Sequence, residues 1–199
     1  MSLQPVHQDR PMTQPRVTPR EKPGPDDRLA AVYQRVTENV GAIPSMYQVL
    51  GHAPEILEGW IGLGWRLRSR STVDRGVLEL AILRVAQLTG SDYVWRSHWP
   101  LAGKAGVADT KLRALSRWRE DGVFDHAELS VLAVTDALVN DVTVGETDWA
   151  KVAALFDERQ RVELVMTIAW YCCVARVARG LAVPLDPDHV RVPALGESS

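Results

Sequence analysis

Apolar residues surround one short stretch of this chain on almost every side. From Val73 to Thr89, VDRGVLELAILRVAQLT places Leu78, Leu80, Ala81, Ile82, Leu83, Val85, Ala86 and Leu88 around the full turn of a helix, the pattern of a helix enclosed in a core rather than lying on a surface. Glu79 interrupts it, set between two leucines. A carboxylate there must find a hydrogen-bonding or cationic partner or give up its charge. After the break at Gly90-Ser91, a second helix, DYVWRSHWPLAGKA, supplies a partner in His98. Ser91, Val94 and His98 fall on one face of it, flanked by Tyr93 and Trp95, which predicts a polar pocket walled by aromatics. Ser91 is also well placed to cap this helix, and Pro100 should kink it or loosen its hydrogen bonding.

The flanking pattern is helical throughout. Asp26 or Asp27 caps a first helix to about Asn39, Pro44-Ser45 opens a short one, and Pro54 starts EILEGWIGLGWRLRS, with Trp60, Gly64 and Leu67 along one stripe. Close approach of another helix or of a ligand accounts for Gly59, Gly62 and Gly64 there. Arg66, Arg68, Arg70 and Arg75 form a basic cluster, read as a solvated face or as an attractor of anionic substrates. Further helices are expected at Asp109 to Trp118, Ala127 to Asn140 and Glu158 to Arg179, with a short one after Thr147-Asp148. The last long helix should pack against the Glu79 helix. No strand alternation of useful length occurs, so the fold class is all-α, with six to eight helices.

Composition narrows the partners. The chain has 199 residues, 46% of them hydrophobic, which suits one core and one domain. That domain spans 26–185, between a Pro-rich arm at 1–25, expected to be mobile or to wrap a neighbouring subunit, and a loosely held tail at 186–199. With 23 basic and 25 acidic residues and no long block of either sign, nothing favours nucleic acid or an anionic membrane; a small molecule is the expected partner. Cys172 and Cys173 are the only cysteines and are adjacent, which does not suit a disulfide-stapled secreted protein. With no apolar signal region and no membrane-length apolar window, a cytoplasmic location is expected. Paired-cysteine zinc sites, His-x-x-x-His motifs and Gly-rich phosphate loops are absent from the sequence, so no metal site is expected.

The run LELAILRVAQLTGSDYVWRSHWPLAGKAG from Leu78 to Gly106, with GAIPSMYQVLGHAPEILEGW upstream and YCCVARVARGLAVPL downstream, resembles the carboxymuconolactone decarboxylase and alkylhydroperoxidase D-like proteins. The resemblance implies an all-α bundle that assembles as a trimer or hexamer. The peroxidase branch carries a glutamate, two cysteines three apart, and a histidine four residues later. Here Glu79 and His98 match, while Ser91 and Val94 stand at the cysteine positions. Without a thiolate to attack peroxide and a thiol to resolve the product, peroxidase chemistry is disfavoured. The chain looks closer to the cysteine-free branch, in which Tyr93-x-Trp95-x-x-His98 follows the glutamate helix. Arg176 matches an arginine the family carries, and Arg179 stands where an asparagine is common.

The reaction that names the family removes carbon dioxide from a carboxylated unsaturated lactone and needs no cofactor. The resemblance and the spacing together assign His98 as proton donor, Glu79 as its orienting partner, Tyr93 as a donor to the oxyanion and Trp95 as an apolar wall, with Ser91, Arg84 and Arg176 as further pocket residues. The expected function is a cofactor-independent lyase or isomerase acting on a small carboxylated or enolisable molecule. The alternatives are a residual peroxide-handling role through Cys172 or Cys173, and a non-catalytic ligand-binding oligomer in which Glu79 and His98 only fix how two helices dock.

Overall fold

The computed structural model describes residues 14–196. Its described residues form nine α-helices, α1 (Asp27–Val40), α2 (Ser45–Leu50), α3 (Pro54–Ser69), α4 (Arg75–Thr89), α5 (Asp92–Lys104), α6 (Asp109–Ala114), α7 (His126–Asn140), α8 (Glu146–Leu155) and α9 (Glu158–Gly180), with 3-10 turns at Leu115–Arg117 and Pro187–Arg191. All nine segments read as helical from the sequence form helices, one more than the expected six to eight.

Local chemistry sets the helix ends. Asp26, Asp74 and Ser91 accept the backbone N–H of Leu29, Val77 and Val94, and Asp125 with Glu128 and Asp157 with Gln160 close reciprocal capping boxes at α7 and α9. Helix α4 stops where Gly90 turns left-handed (φ 63°). A side chain there would also collide with the Arg179 guanidinium, which donates to the carbonyls of Thr89 and Gly90.

Helix α4 is the axis of the fold, packed by α5, α7 and α9. Leu78, Leu80, Ala81, Ile82, Leu83, Val85 and Ala86 have almost no exposed surface, as their all-round apolar distribution requires. Each buried Leu or Ile contributes on the order of 1.5–3 kcal/mol before entropy is subtracted. A smaller cluster of Leu29, Val32, Tyr33, Val36, Leu57 and Ile61 joins α1 to α3, and α3 also packs on α9. Pro100 lies inside α5, which nonetheless continues to Lys104.

The loop entering α4 is clamped to α9. Glu163 accepts from Ser71 Oγ (3.0 Å), Thr72 N–H (2.7 Å), Thr72 Oγ1 (3.0 Å) and Arg159 Nε (2.7 Å). Burial alone would raise its pKa, but those donors outweigh burial and hold the carboxyl at about 2. A carboxyl lowered on folding stabilises the protein above its unfolded range and loses that contribution as pH falls through the folded value. Thermal melts of Glu163→Gln should therefore lie below wild type at neutral pH and converge with it as pH drops from about 4.5 to about 2. A constant gap would contradict the clamp.

Both chain ends differ from expectation. The arm was expected to be mobile over 1–25, but residues 14–25 lie along their own chain: Arg16 N–H donates to Leu181 O, Arg20 N–H to Gln48 O and Tyr33 Oη to Arg20 O. Residues 1–13, which carry the rest of that expectation, lie outside the described residues. The tail, expected to be loose over 186–199, is pinned across α5 as far as it is described; residues 197–199 lie outside the described residues. Arg96 Nη1 donates to the carbonyls of His189 (3.0 Å) and Val192 (2.8 Å), and Leu195 N–H donates to Asp92 Oδ1 (3.0 Å). Polar composition predicts too little apolar burial to offset ordering entropy; these segments are held by backbone groups whose partners lie elsewhere in the chain.

Candidate active site

A cavity of about 510 Å³ opens between α3, α5, α9, the α1–α2 connection and the tail. Helix α4 contributes the buried charge behind it. Glu79 has 0% exposed surface and His98 5%, and His98 Nδ1 sits 2.7 Å from Glu79 Oε2. The other carboxylate oxygen, Oε1, accepts from Arg75 Nη2 one helical turn earlier. Burial pushes the Glu79 carboxyl up, but the facing His98 imidazole and the Arg75 guanidinium outweigh it, leaving the pKa below the ordinary carboxylate value. An ionised carboxylate only accepts hydrogen bonds, so His98 Nδ1 carries the hydrogen and Nε2 is the nitrogen left for a ligand. His98 lines the cavity, and the Tyr171 ring stands edge-on to its imidazole at 4.7 Å. A basic nitrogen on a cavity wall, its tautomer fixed from behind, is the arrangement of a general acid or base.

The other expected site residues are distributed differently. Tyr93 reaches the cavity, but its hydroxyl donates to Asp186 Oδ2 (3.0 Å) and accepts the Met46 N–H (3.3 Å). Burial and the Asp186 carboxylate push this phenol well above its ordinary pKa, so its proton stays committed to Asp186. Trp95 is fully buried away from the cavity, its indole N–H donating to Pro193 O (3.1 Å) and its ring packed on Trp99. The aromatic wall is instead Trp60 and Trp170, whose ring centroids are 4.4 Å apart. Ser91 caps α5 and does not line the cavity.

Arg84 leaves α4 on another side and pairs with Asp136, Nε to Oδ1 at 2.6 Å and Nη2 to Oδ2 at 3.2 Å. Arg176 is exposed on α9 and donates to Cys172 O of its own helix (3.0 Å). The cation beside Glu79 is therefore Arg75, which the spacing of four residues on one helix face could have revealed. Arg68 was read only within a basic cluster, yet it continues the cavity-facing stripe Trp60, Gly64, Arg68 at intervals of one turn; Leu67 does not line the cavity.

The tail closes the remaining wall, a contribution no local pattern announces. Asp186 Oδ1 accepts the Ser45 N–H at 2.6 Å, and His189 Nδ1 accepts the Asp186 N–H at 3.3 Å while its Nε2 lies 3.2 Å from Ser97 Oγ. Burial lowers the His189 pKa, with Asp186 opposing, and a neutral ring bearing its hydrogen on Nε2 satisfies both contacts. Asp186→Ala should release this wall. Native-state hydrogen exchange at the Ser45 amide should accelerate by about tenfold or more, the loss of one charge-assisted hydrogen bond; unchanged protection would remove Asp186 from the wall.

A family model described as the carboxymuconolactone decarboxylase family matches residues 54–137, from α3 through most of α7 and across both members of the Glu79–His98 pair. The uncharacterized protein YnjA of Escherichia coli (strain K12) is 30% identical over 124 residues, 61% of this chain and 68% of that protein. Two solved structures share the fold. One, described as the alkylhydroperoxidase AhpD core of an uncharacterized peroxidase-related protein from Ralstonia eutropha, aligns with a TM-score of 0.74 at 14% identity over 88% of this chain and 96% of that one. The other, a variant of the debrominase Bmp8 in complex with 2,3,4-tribromopyrrole, aligns with a TM-score of 0.75 at 16% identity over 88% and 94%. The chain belongs to the carboxymuconolactone decarboxylase family and has the alkylhydroperoxidase D-like all-helical fold. Among the described residues, no helix is long and apolar enough to cross a membrane.

Proposed function

We propose that this protein is a cofactor-independent acid–base enzyme, a lyase or isomerase, that moves a proton on a small carboxylated or enolisable molecule through His98. The observation that carries this reading is the 2.7 Å pair between Glu79 and His98 at the wall of a cavity of about 510 Å³. A buried pair that served only to dock two helices would have no need of such a space.

In a decarboxylation, the bond from the substrate carbon to its carboxylate breaks and carbon dioxide departs. The electron pair passes into a conjugated carbonyl, and His98, protonated beforehand at Nε2 from solvent, donates that proton to the carbon and is left neutral. In an isomerisation, His98 Nε2 takes the carbon-bound proton and gives it back elsewhere along the conjugated system. Glu79 stabilises the imidazolium that is spent in the first sequence and formed in the second, and Arg75 keeps Glu79 ionised. Trp60 and Trp170 supply an apolar surface, which disfavours the charged carboxylate relative to the transition state.

Thiol chemistry has weaker support. Cys172 and Cys173 sit on α9 rather than at the positions of Ser91 and Val94, and burial raises the Cys172 pKa, reducing its thiolate fraction. The test is a screen of purified protein against unsaturated lactone acids and β-keto acids, following carbon dioxide release and ultraviolet absorbance. Turnover of at least one such compound without added cofactor is expected. Turnover appearing only with peroxide and a thiol reductant would contradict the proposal.

A further inference from the structure

Two polar groups on the cavity wall are not consumed by the fold. Tyr171 is 4% exposed and faces the cavity, yet its hydroxyl makes no hydrogen bond among the described residues. It is not sealed either, since among the described residues the fully buried polar side-chain atoms left without a partner are Asp121 Oδ2 and Arg161 Nε. Arg68, half-buried on α3, lines the same cavity and has no carboxylate partner among the described residues. Three carboxylates lie at or behind this cavity, and none is paired with Arg68 among the described residues; Asp188 lines its tail side. Glu79 is bonded to Arg75 and His98, while Asp186 belongs to the tail wall, where it accepts from Tyr93 and Ser45. Burial raises the Tyr171 pKa, so the phenol remains a hydrogen-bond donor, and Arg68 lines the same cavity.

We infer that the Tyr171 hydroxyl and the Arg68 guanidinium form a seat for an enolate oxygen, so that the ligands of this cavity are small planar carbonyl compounds that pass through an enolate. The inference rests on the proton-transfer reading of His98 and specifies what that reading acts on. The Tyr171 ring lies edge-on to His98 at 4.7 Å, which places the donor and the base on neighbouring parts of one wall. The apolar side for a flat ligand is the indole pair Trp60 and Trp170, and Trp170 packs closely over Gly64, where a Cβ would lie 3.3 Å from its Nε1. His98 Nε2 then removes a proton from the carbon next to the carbonyl, and the C–H electron pair moves to the carbonyl oxygen. The negative oxygen receives the O–H of Tyr171 and the N–H groups of Arg68, and return of the proton from His98 restores the neutral molecule. This assigns to Tyr171 and Arg68 the oxyanion role expected of Tyr93, whose proton is held by Asp186.

The test uses 4-nitrophenolate, an aromatic enolate analogue whose anion is read by its visible absorbance, with nitrobenzene as the uncharged control. Titration calorimetry and absorbance on the intact protein should show 4-nitrophenolate binding about tenfold or more tightly than nitrobenzene, the scale of charge-assisted hydrogen bonds. Tyr171→Phe, which keeps the ring against His98, and Arg68→Met should each weaken 4-nitrophenolate by about tenfold and leave nitrobenzene within about twofold. His98→Asn should keep the preference for the anion, since the seat does not include His98. The inference is overturned if wild type binds the anion no better than nitrobenzene, or if both Tyr171→Phe and Arg68→Met retain the wild-type preference. Anion preference without turnover of any carbonyl compound would sink the proton-transfer reading and leave the seat. Turnover with no anion preference would do the reverse.

Discussion

Replacing His98 with asparagine should lower turnover by about 10²–10⁴-fold, the range that positioned acid–base groups supply, with the helical signal and the assembly state unchanged. Asparagine can still donate to Glu79 through its amide, so the contact between α4 and α5 survives, but it has no lone pair able to take a carbon-bound proton at neutral pH. Some stability is lost with the edge-on contact to Tyr171, about 0.5–1.5 kcal/mol for an aromatic pair. Steady-state rates on a compound found by the screen, compared at matched melting temperature, separate the chemical effect from the structural one. A variant with wild-type rates would remove His98 from the mechanism.

Glu79→Gln should produce the larger effect on the fold. Glu79 has 0% exposed surface and accepts from both Arg75 and His98. An amide of the same shape fills the space but turns two charge-assisted hydrogen bonds into one neutral acceptor and one misplaced donor. The expected loss is about 2–3 kcal/mol at neutral pH, read from urea midpoints. The direction with pH follows from the lowered carboxyl pKa. The ionised carboxylate stabilises the fold above the usual carboxylate range, and that contribution disappears as pH falls through the folded value. The gap between wild type and variant should therefore close on acidification; a gap that widens would mean Glu79 is protonated in the native state. Turnover should fall as well, because the His98 tautomer would no longer be fixed.

How far the sequence carried these conclusions depends on the range of the interactions involved. The apolar residues around α4, with one glutamate among them, were enough to mark the central helix and to require a partner for the charge. Helix caps such as Asp26 and Ser91 were readable because cap and capped N–H lie within three residues. The pairing of Glu79 with His98 was readable because the break at Gly90 folds two adjacent helices together. Arg75 was equally local, on the same helix face as Glu79, but was read only within a basic cluster, while Arg176, placed in the pocket through its family match, lies exposed on α9.

The tail was not readable. Asp186 meets Tyr93 across 93 residues and Ser45 across 141, and no periodicity links segments so far apart. Residues 14–25 failed for the same reason, since Arg16 docks at the far end of α9. In both segments polar composition correctly reports the absence of a core, but not the backbone partners waiting on another element. The role expected of Trp95 shows the opposite limit. An aromatic beside a polar helix face is compatible with a cavity wall or with the core, and its indole N–H found Pro193 on the core side.

The claim on which the rest depends is that Glu79 fixes the His98 tautomer so that Nε2 offers its lone pair to the cavity. Long-range nitrogen–proton correlation spectra of uniformly labelled protein read this directly. The account predicts that the neutral His98 ring is protonated at Nδ1 and bare at Nε2, and that the Nε2 resonance moves when 4-nitrophenolate is added. A neutral ring protonated at Nε2 and bare at Nδ1, or an Nε2 resonance indifferent to any ligand that enters the cavity, would contradict it.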